Sequence, residues 1–204
     1  MTTAPSPILL LDVMDTLVYD PYLEMPDFFG LTLEELYSLA DGSAWQRFER
    51  GEIDQQAFLD AFLPAHIHWD QQAFLELFQR GYRWLEGVED LLAELKRAGI
   101  EMHCMSNYPC WFQTIENKLK LSQYLPWTFV SCKSGLRKPA AAAYLHAAES
   151  LSCLPSQCLF IDNTARNCAG ARAVGMDAIL FDDATKLRTE LCRRGVLDLN
   201  NCYD

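Results

Sequence analysis

The chain has 204 residues, half of them hydrophobic, and 28 acidic against 17 basic side chains give a formal net charge of -11. That length carries one sizeable core plus an insertion. The carboxylate surplus excludes a nucleic-acid or anionic-membrane partner, because phosphate backbones demand clustered Lys and Arg, but it leaves room for a small anionic substrate in a local pocket. The eight cysteines contain no C-x-x-C pair of the kind zinc and redox sites use. Cys104, Cys158 and Cys192 lie in or beside apolar runs, where a thiol acts as a small hydrophobe, so reduced cysteines in a cytosolic chain are expected. Residues 1–7 lack the basic region and apolar stretch of a signal peptide, and no run approaches the ~18 apolar residues of a membrane span. The expectation is a soluble, cytoplasmic protein; nothing in the chain specifies an oligomeric state.

The first element is Ile8-Leu9-Leu10-Leu11, four apolar residues closed by Asp12. It reads as a buried strand that delivers a carboxylate at its C-terminal end, where open α/β sheets bind ligands. Asp20-Pro21 and Met25-Pro26 then punctuate the chain, and a helix-only stretch follows. Thr32 with Glu35 forms a capping box ahead of Leu33, Leu36, Tyr37 and Ala40 at helical spacing. Residues 44–51 form a second helix stopped by Gly51. Asp54 caps a third carrying Phe58, Leu59 and Phe62, and Asp70 caps a fourth carrying Phe74, Leu77 and Phe78.

From Gly87 the pattern changes. Val88, Leu91, Leu92 and Leu95 mark an amphipathic helix ending at Gly99, and residues 100–105 form a strand ending in Ser106-Asn107. A helix through Trp111, Ile115 and Leu119 leads to a strand at 127–131. The helix of residues 140–151, a strand at 158–161 closed by Asp162-Asn163, a helix from about Asn167 to Gly175, a strand at 178–181 and a terminal helix complete the chain. Alternating strands and helices imply a doubly wound parallel sheet. The all-helical stretch interrupts that alternation and reads as an inserted cap. The expected division is an α/β core of residues 1–19 and 87–204 with a helical cap of residues 20–86.

Four polar sites fall at strand ends: Asp12, Ser106-Asn107, Arg137-Lys138-Pro139 and Asp162-Asn163. Each alone is an ordinary turn or helix cap. Together, in this order, they suit phosphoryl transfer through an aspartyl-phosphate. A carboxylate nucleophile at Asp12 splits one difficult displacement into two. The crowded negative charge calls for Mg²⁺ on oxygen ligands such as Asp12, a backbone carbonyl and Asp162. Lys138 neutralises the nucleophile and the transferred group, and Ser106 and Asn107 hydrogen-bond the phosphoryl oxygens.

These motifs resemble those of the haloacid dehalogenase superfamily over nearly the whole chain: Asp12 to Thr16, Met105-Ser106-Asn107, Lys138-Pro139 and Ile161-Asp162-Asn163. The insertion, with Trp45-x-x-Phe48-Glu49-x-Gly51-x-Ile53, resembles the family's C1 cap. Residues 11–16, Ser106-Asn107-Tyr108-Pro109-x-Trp111 and the block of residues 118–129 resemble the plant plastid flavin mononucleotide hydrolases. The resemblance implies a Mg²⁺-dependent phosphatase of a small phosphorylated metabolite, with FMN the named candidate. It places Thr16 beside Ser106, Asn107 and Lys138 in substrate binding. It also adds Asn163 and Met14, through its carbonyl, to the metal set of Asp12 and Asp162.

The chain departs from the superfamily's Asp-x-Asp-x-Thr at Met14, which cannot transfer a proton; losing a positioned acid/base costs about 10² to 10⁴ in rate. The neighbouring carboxylate is Asp15, one residue late. Either Asp15 reaches the site, or water or a substrate group serves, or the enzyme is slow. Asn163 removes a second carboxylate, and Ala140-Ala141 replaces Asp-Pro after Lys138-Pro139, where an effect on stability is expected. Two other functions fit the motifs: hydrolysis of a 2-haloacid, which needs no second Asp, and a catalytically impaired phosphate- or flavin-binding protein. Cap aromatics Trp45, Phe48, Trp69, Tyr82 and Trp84 include candidates for stacking on a flavin, although helical spacing of this kind chiefly marks core.

Overall fold

A computed structural model describes residues 6–198. The opening apolar run is strand β1 (Ile8–Leu11). The insertion follows as a 3₁₀ turn at Pro21–Glu24, α1 (Met25–Phe29), α2 (Leu33–Leu39), α3 (Gly42–Glu49), α4 (Gln55–Phe62) and α5 (Gln71–Gly81). Helix α6 (Val88–Arg97), β2 (Met102–Ser106), α7 (Phe112–Leu119), β3 (Phe129–Val130) and α8 (Ser131–Ser134) come next. The chain then runs through α9 (Ala141–Ser150), β4 (Cys158–Asp162), α10 (Ala165–Ala173), β5 (Asp177–Leu180) and α11 (Ala184–Arg193).

The sheet is parallel throughout, in the order β3-β2-β1-β4-β5. Leu9, Leu10 and Leu11 are fully buried, as a central strand covered on both faces requires. The chain winds outward from β1 in both directions, so the topological switch lies at β1. The crevice outside the carboxyl ends of β1, β2 and β4 is therefore the ligand position of this architecture. The doubly wound α/β class and the helical cap agree with the sequence reading.

Local signals explain most helix starts. Thr32 and Glu35 form the expected capping box, and the Asp54 and Asp70 side chains accept the N–H of Ala57 and Ala73. The segment at 44–51 begins two residues earlier than expected because Asp41 caps it through Ser43 N–H. Helix α2 buries only Leu36; Leu33 and Tyr37 face solvent, so its apolar spacing overstated its buried face. The strand at 127–131 shrinks to Phe129–Val130, because Ser131 turns inward and starts α8. Its hydroxyl is shared between the Glu49 carbonyl and the Tyr108 N–H. A two-residue strand is one way to blunt a sheet edge. Among the described residues six cysteines are free thiols, whereas Cys192 is disulfide-bonded, so the expectation of reduced cysteines fails there. Among the described residues no helix is long and apolar enough to cross a membrane.

The cap interior and the sheet interior form one continuous apolar cluster that includes Phe48, Phe58, Phe74, Phe78 and Trp111. Trp111, from the segment after β2, meets Phe48 at 5.2 Å and Phe78 at 4.9 Å between ring centroids and donates its indole N–H to Gln55 Oε1. The Tyr82 and Tyr108 hydroxyls are 2.8 Å apart across the same boundary. Gly51 has φ +69° and lies against the Cys132 carbonyl, where a Cβ would collide. Gly51→Ala is therefore expected to lower the unfolding free energy by about 2 kcal/mol or more, as read by urea denaturation.

Candidate active site

Asp12 follows β1 and Asp162 ends β4, the neighbouring strand. Lys138 enters from the loop before α9 and is 3% exposed. Its Nζ donates to Asp12 Oδ1 at 2.6 Å and to Asp162 Oδ2 at 2.7 Å. The other Asp12 oxygen accepts the Thr16 hydroxyl at 3.1 Å, and Thr16 Oγ1 accepts Asn163 N–H at 3.2 Å. Four of the expected residues thus form one hydrogen-bonded group, with Asn163 joined through its backbone.

Two residues hold Lys138 from behind. Asn107 Nδ2 donates to the Lys138 carbonyl, and Lys138 N–H donates to Asn107 Oδ1, at 2.9 and 2.8 Å. In this arrangement the Asn107 amide positions the lysine backbone. Phe160 lies beneath the ammonium, 5.2 Å from Nζ to ring centroid. Asp162 is oriented as tightly: Thr164 N–H donates to Oδ1, and Asn167 Nδ2 reaches both carboxylate oxygens at 3.0–3.1 Å. Sequence reading used Asn167 only as a helix start. Its position in the first turn of α10, five residues past Asp162, is what brings its amide back to that carboxylate.

Electrostatics follow from burial. Desolvation pushes the Asp12 carboxyl up to about 6, against the pull of Lys138 and with help from the Asp162 charge. Burial alone would lower the Lys138 ammonium, but the charges of Asp12 and Asp162 and their hydrogen bonds hold it above its ordinary value. Two carboxylates and one ammonium leave an excess negative charge in a buried site. Ser106, 2% exposed at the end of β2, has a sealed hydroxyl oxygen without a hydrogen-bond partner among the described residues. An unpaired buried hydroxyl costs stability and is available to a ligand oxygen.

No group of three His, Cys, Asp or Glu side chains among the described residues forms a metal cage. The donor set nevertheless fits a hard cation: carboxylates at Asp12 and Asp162, and the Met14 carbonyl. The turn's hydrogen bonds go to the Val13 and Val18 carbonyls instead of to Met14. Oxygen donors around excess negative charge suit Mg²⁺ better than thiol or imidazole metals. The Asn163 side chain is exposed and accepts from the Thr164 hydroxyl at 3.3 Å.

Asp15 has φ 54°, and its Oδ1 accepts the Asp20 N–H at 3.0 Å, so its carboxylate is engaged in closing the loop. Arg137 pairs with Glu49 of α3 at 2.6 Å, and Glu49 also accepts the Trp45 indole N–H, which joins the cap to the Lys138 loop. Of the candidate stacking aromatics, Phe48 and Tyr82 are sealed in the core, while Trp45, Trp69 and Trp84 are partly buried against it. A cavity of about 620 Å³ beside β5 and α11 meets the site only at Asn163. Its basic residues are already engaged: Lys186 by Asp182 and Asp183, Arg194 by Asp177 and Glu190, and Arg172 by the Ala178 carbonyl.

The fold is a doubly wound α/β sheet with a helical cap, and its polar residues, two carboxylates and a lysine, meet at the carboxyl ends of the strands. The chain belongs to the haloacid dehalogenase-like hydrolases, whose family model matches residues 8–175. It is 39% identical over 191 residues to the chloroplast flavin mononucleotide hydrolase 1 of Arabidopsis thaliana, covering 93% of this chain and 78% of the relative. It is 25% identical over 167 residues to a sesquiterpene phosphatase of Aspergillus oryzae, covering 79% and 84%. Among solved structures, a HAD family enzyme of Bacteroides thetaiotaomicron in complex with magnesium superimposes with a TM-score of 0.74 at 18% identity, over 89% of this chain and 96% of that one.

Replacing Lys138 by Met leaves two buried carboxylates without their cation, with an expected stability loss of about 3–5 kcal/mol near pH 7. Asp12 titrates above its unfolded value of 3.8, so the native state binds the proton more tightly and stability falls as pH rises through that window. Without Lys138 this carboxyl moves higher still. The loss measured by urea unfolding is expected to shrink near pH 5, where Asp12 is protonated.

Proposed function

We propose that this protein is a Mg²⁺-dependent phosphatase of small phosphomonoesters, with FMN as the leading substrate. The observation that carries this reading is the Lys138 ammonium bridging Asp12 and Asp162 at the carboxyl ends of β1 and β4. It stands beside the likeness to a flavin mononucleotide hydrolase over 93% of the chain.

Each residue then has a stated task. Asp12 Oδ attacks phosphorus, the P–O bond to the alcohol breaks, and an aspartyl-phosphate forms. Lys138 keeps Asp12 ionised despite burial and screens the incoming phosphoryl charge. The Ser106 hydroxyl gains from the phosphoryl oxygens the partner it otherwise lacks, and Thr16 fixes the nucleophile's second oxygen. Asp162, clamped by Asn167 and Thr164, holds Lys138 and, with Asp12 and the Met14 carbonyl, would supply oxygen ligands to the cation. When bound, Mg²⁺ supplies charge neutralisation at the phosphoryl group. Water then attacks the phosphoryl group and returns Asp12 to its carboxylate.

The test is phosphate release from FMN and a panel of sugar phosphates and nucleotides, with Mg²⁺ or a chelator. Turnover is expected with Mg²⁺ and to fall by about 10⁴ or more in Asp12→Asn, the scale of losing a covalent nucleophile. Absence of turnover in folded protein on every phosphoester contradicts the reading; haloacid turnover independent of metal, or flavin binding alone, would then identify the other two functions.

A further inference from the structure

Lys138 is held from two directions. On the core side the Asn107 amide brackets its backbone N–H and carbonyl. On the other side the chain leads back into Arg137, and that residue is held by the cap. The Arg137 guanidinium lies 2.6 Å from Glu49 Oε2, on the last residue of α3. Glu49 Oε1 accepts the Trp45 indole N–H at 2.8 Å, from one turn earlier on the same helix. One carboxylate oxygen is thus anchored inside the cap and the other reaches across the boundary.

The same helix end touches the segment leading to Lys138 at two further points. The Glu49 carbonyl accepts the Ser131 hydroxyl, and Ser131 Oγ in turn accepts the N–H of Tyr108, the residue after Asn107. Gly51 lies against the Cys132 carbonyl, closely enough that a Cβ would collide with it. Both contacts fix the start of the segment; only the ion pair reaches its end, where Arg137 is peptide-bonded to Lys138. An exposed ion pair contributes little, but the Glu49 side chain is 8% exposed, and Arg137 is its only ion-pair partner among the described residues. A buried carboxylate is costly without its cation, so a seated α3 dictates where the guanidinium sits and with it the peptide that enters Lys138.

We propose that Glu49 is a positioning residue for catalysis: through Arg137 it sets the backbone that presents Lys138, and it makes the Asp12–Lys138–Asp162 bridge depend on the seating of α3. The inference deepens the phosphatase reading above and rests on it. Glu49 makes no hydrogen bond or ion pair to Asp12, Lys138 or Asp162 among the described residues, so its effect passes through Arg137. Without it Lys138 keeps the Asn107 bracket and loses the constraint from the cap. The ammonium then spends less time against both carboxylates, and a displacement of about 1 Å at such a group costs on the order of 10² in rate.

The test measures phosphate release from FMN with Mg²⁺ for wild type, Asp12→Asn, Glu49→Gln, Arg137→Gln, the Glu49→Gln/Arg137→Gln double variant and Arg137→Lys, with urea unfolding of each. Glu49→Gln removes the charge and keeps an oxygen for the Trp45 indole. It is expected to lower kcat by about 10–100-fold, the scale of losing a group that orients a site residue, with KM little changed. Arg137→Gln should match it, and the double variant should lose no more than the larger single loss, because the two side chains act as one unit. Arg137→Lys keeps a cation and should recover part of the rate. Unchanged kcat, a change in KM alone, multiplying losses in the double variant, or Arg137→Lys no faster than Arg137→Gln would overturn the role of Glu49. Should Glu49→Gln not fold, the two Arg137 variants decide: a kcat loss in Arg137→Gln that Arg137→Lys partly restores supports the role, and equal or absent losses overturn it. Wild-type protein that releases no phosphate, or that keeps its rate in Asp12→Asn, overturns the phosphatase reading and this role with it, whereas turnover abolished in Asp12→Asn and untouched in Glu49→Gln overturns this role alone.

Discussion

Lys138 places one ammonium between two carboxylates from adjacent strands, and burial makes that arrangement obligatory. With the ammonium 2.6 and 2.7 Å from Asp12 and Asp162, neither acid can lose it without leaving a charge unpaired in the interior. The neighbouring residues serve to hold this bridge. Asn107 fixes the lysine backbone, Asn167 and Thr164 fix Asp162, and Thr16 fixes the free oxygen of Asp12. A preorganised site of this kind does not have to reorient its dipoles when charge develops on a substrate.

The cap is joined to this bridge through covalent neighbours. Arg137 precedes Lys138 and pairs with Glu49 on α3, whose carbonyl in turn accepts the Ser131 hydroxyl. Glu49 is buried, and desolvation raises its carboxyl against the pull of Arg137, so a shift of α3 disturbs both the ion pair and the loop that carries the lysine. Trp111 and the Tyr82–Tyr108 contact close the same boundary with apolar surface. The polar chemistry and the cap packing are therefore mechanically coupled over a few residues.

Much of this was legible in the sequence because it rests on short-range rules. Asp54, Asp70 and Thr32 announce helices through caps that need no tertiary context, and the Ile8–Leu11 run can only be a strand buried on both faces. Asp12, Lys138, Asp162 and Thr16 were legible as a set, and the fold brings them together. What sequence did not show depends on rotation and depth. Asn107 was expected on phosphoryl oxygens, and its amide instead grips the Lys138 backbone. Asn167 was read as a helix start, although one turn of α10 aims it at Asp162. Tyr37 and Leu33 match a buried helical stripe in spacing and still face solvent, since spacing specifies a face and not what covers it.

The chemistry centres on a covalent bond between Asp12 and phosphorus, and the most direct measurement is to trap that bond. Enzyme turning over FMN with Mg²⁺ is quenched in acid, digested, and its peptides mapped by mass spectrometry. The expected result is a phosphoryl group on the peptide of residues 6–18, at Asp12 and absent from Asp12→Asn. A phosphoryl group on another residue, or solvent oxygen entering the Asp12 carboxylate during turnover, would contradict it.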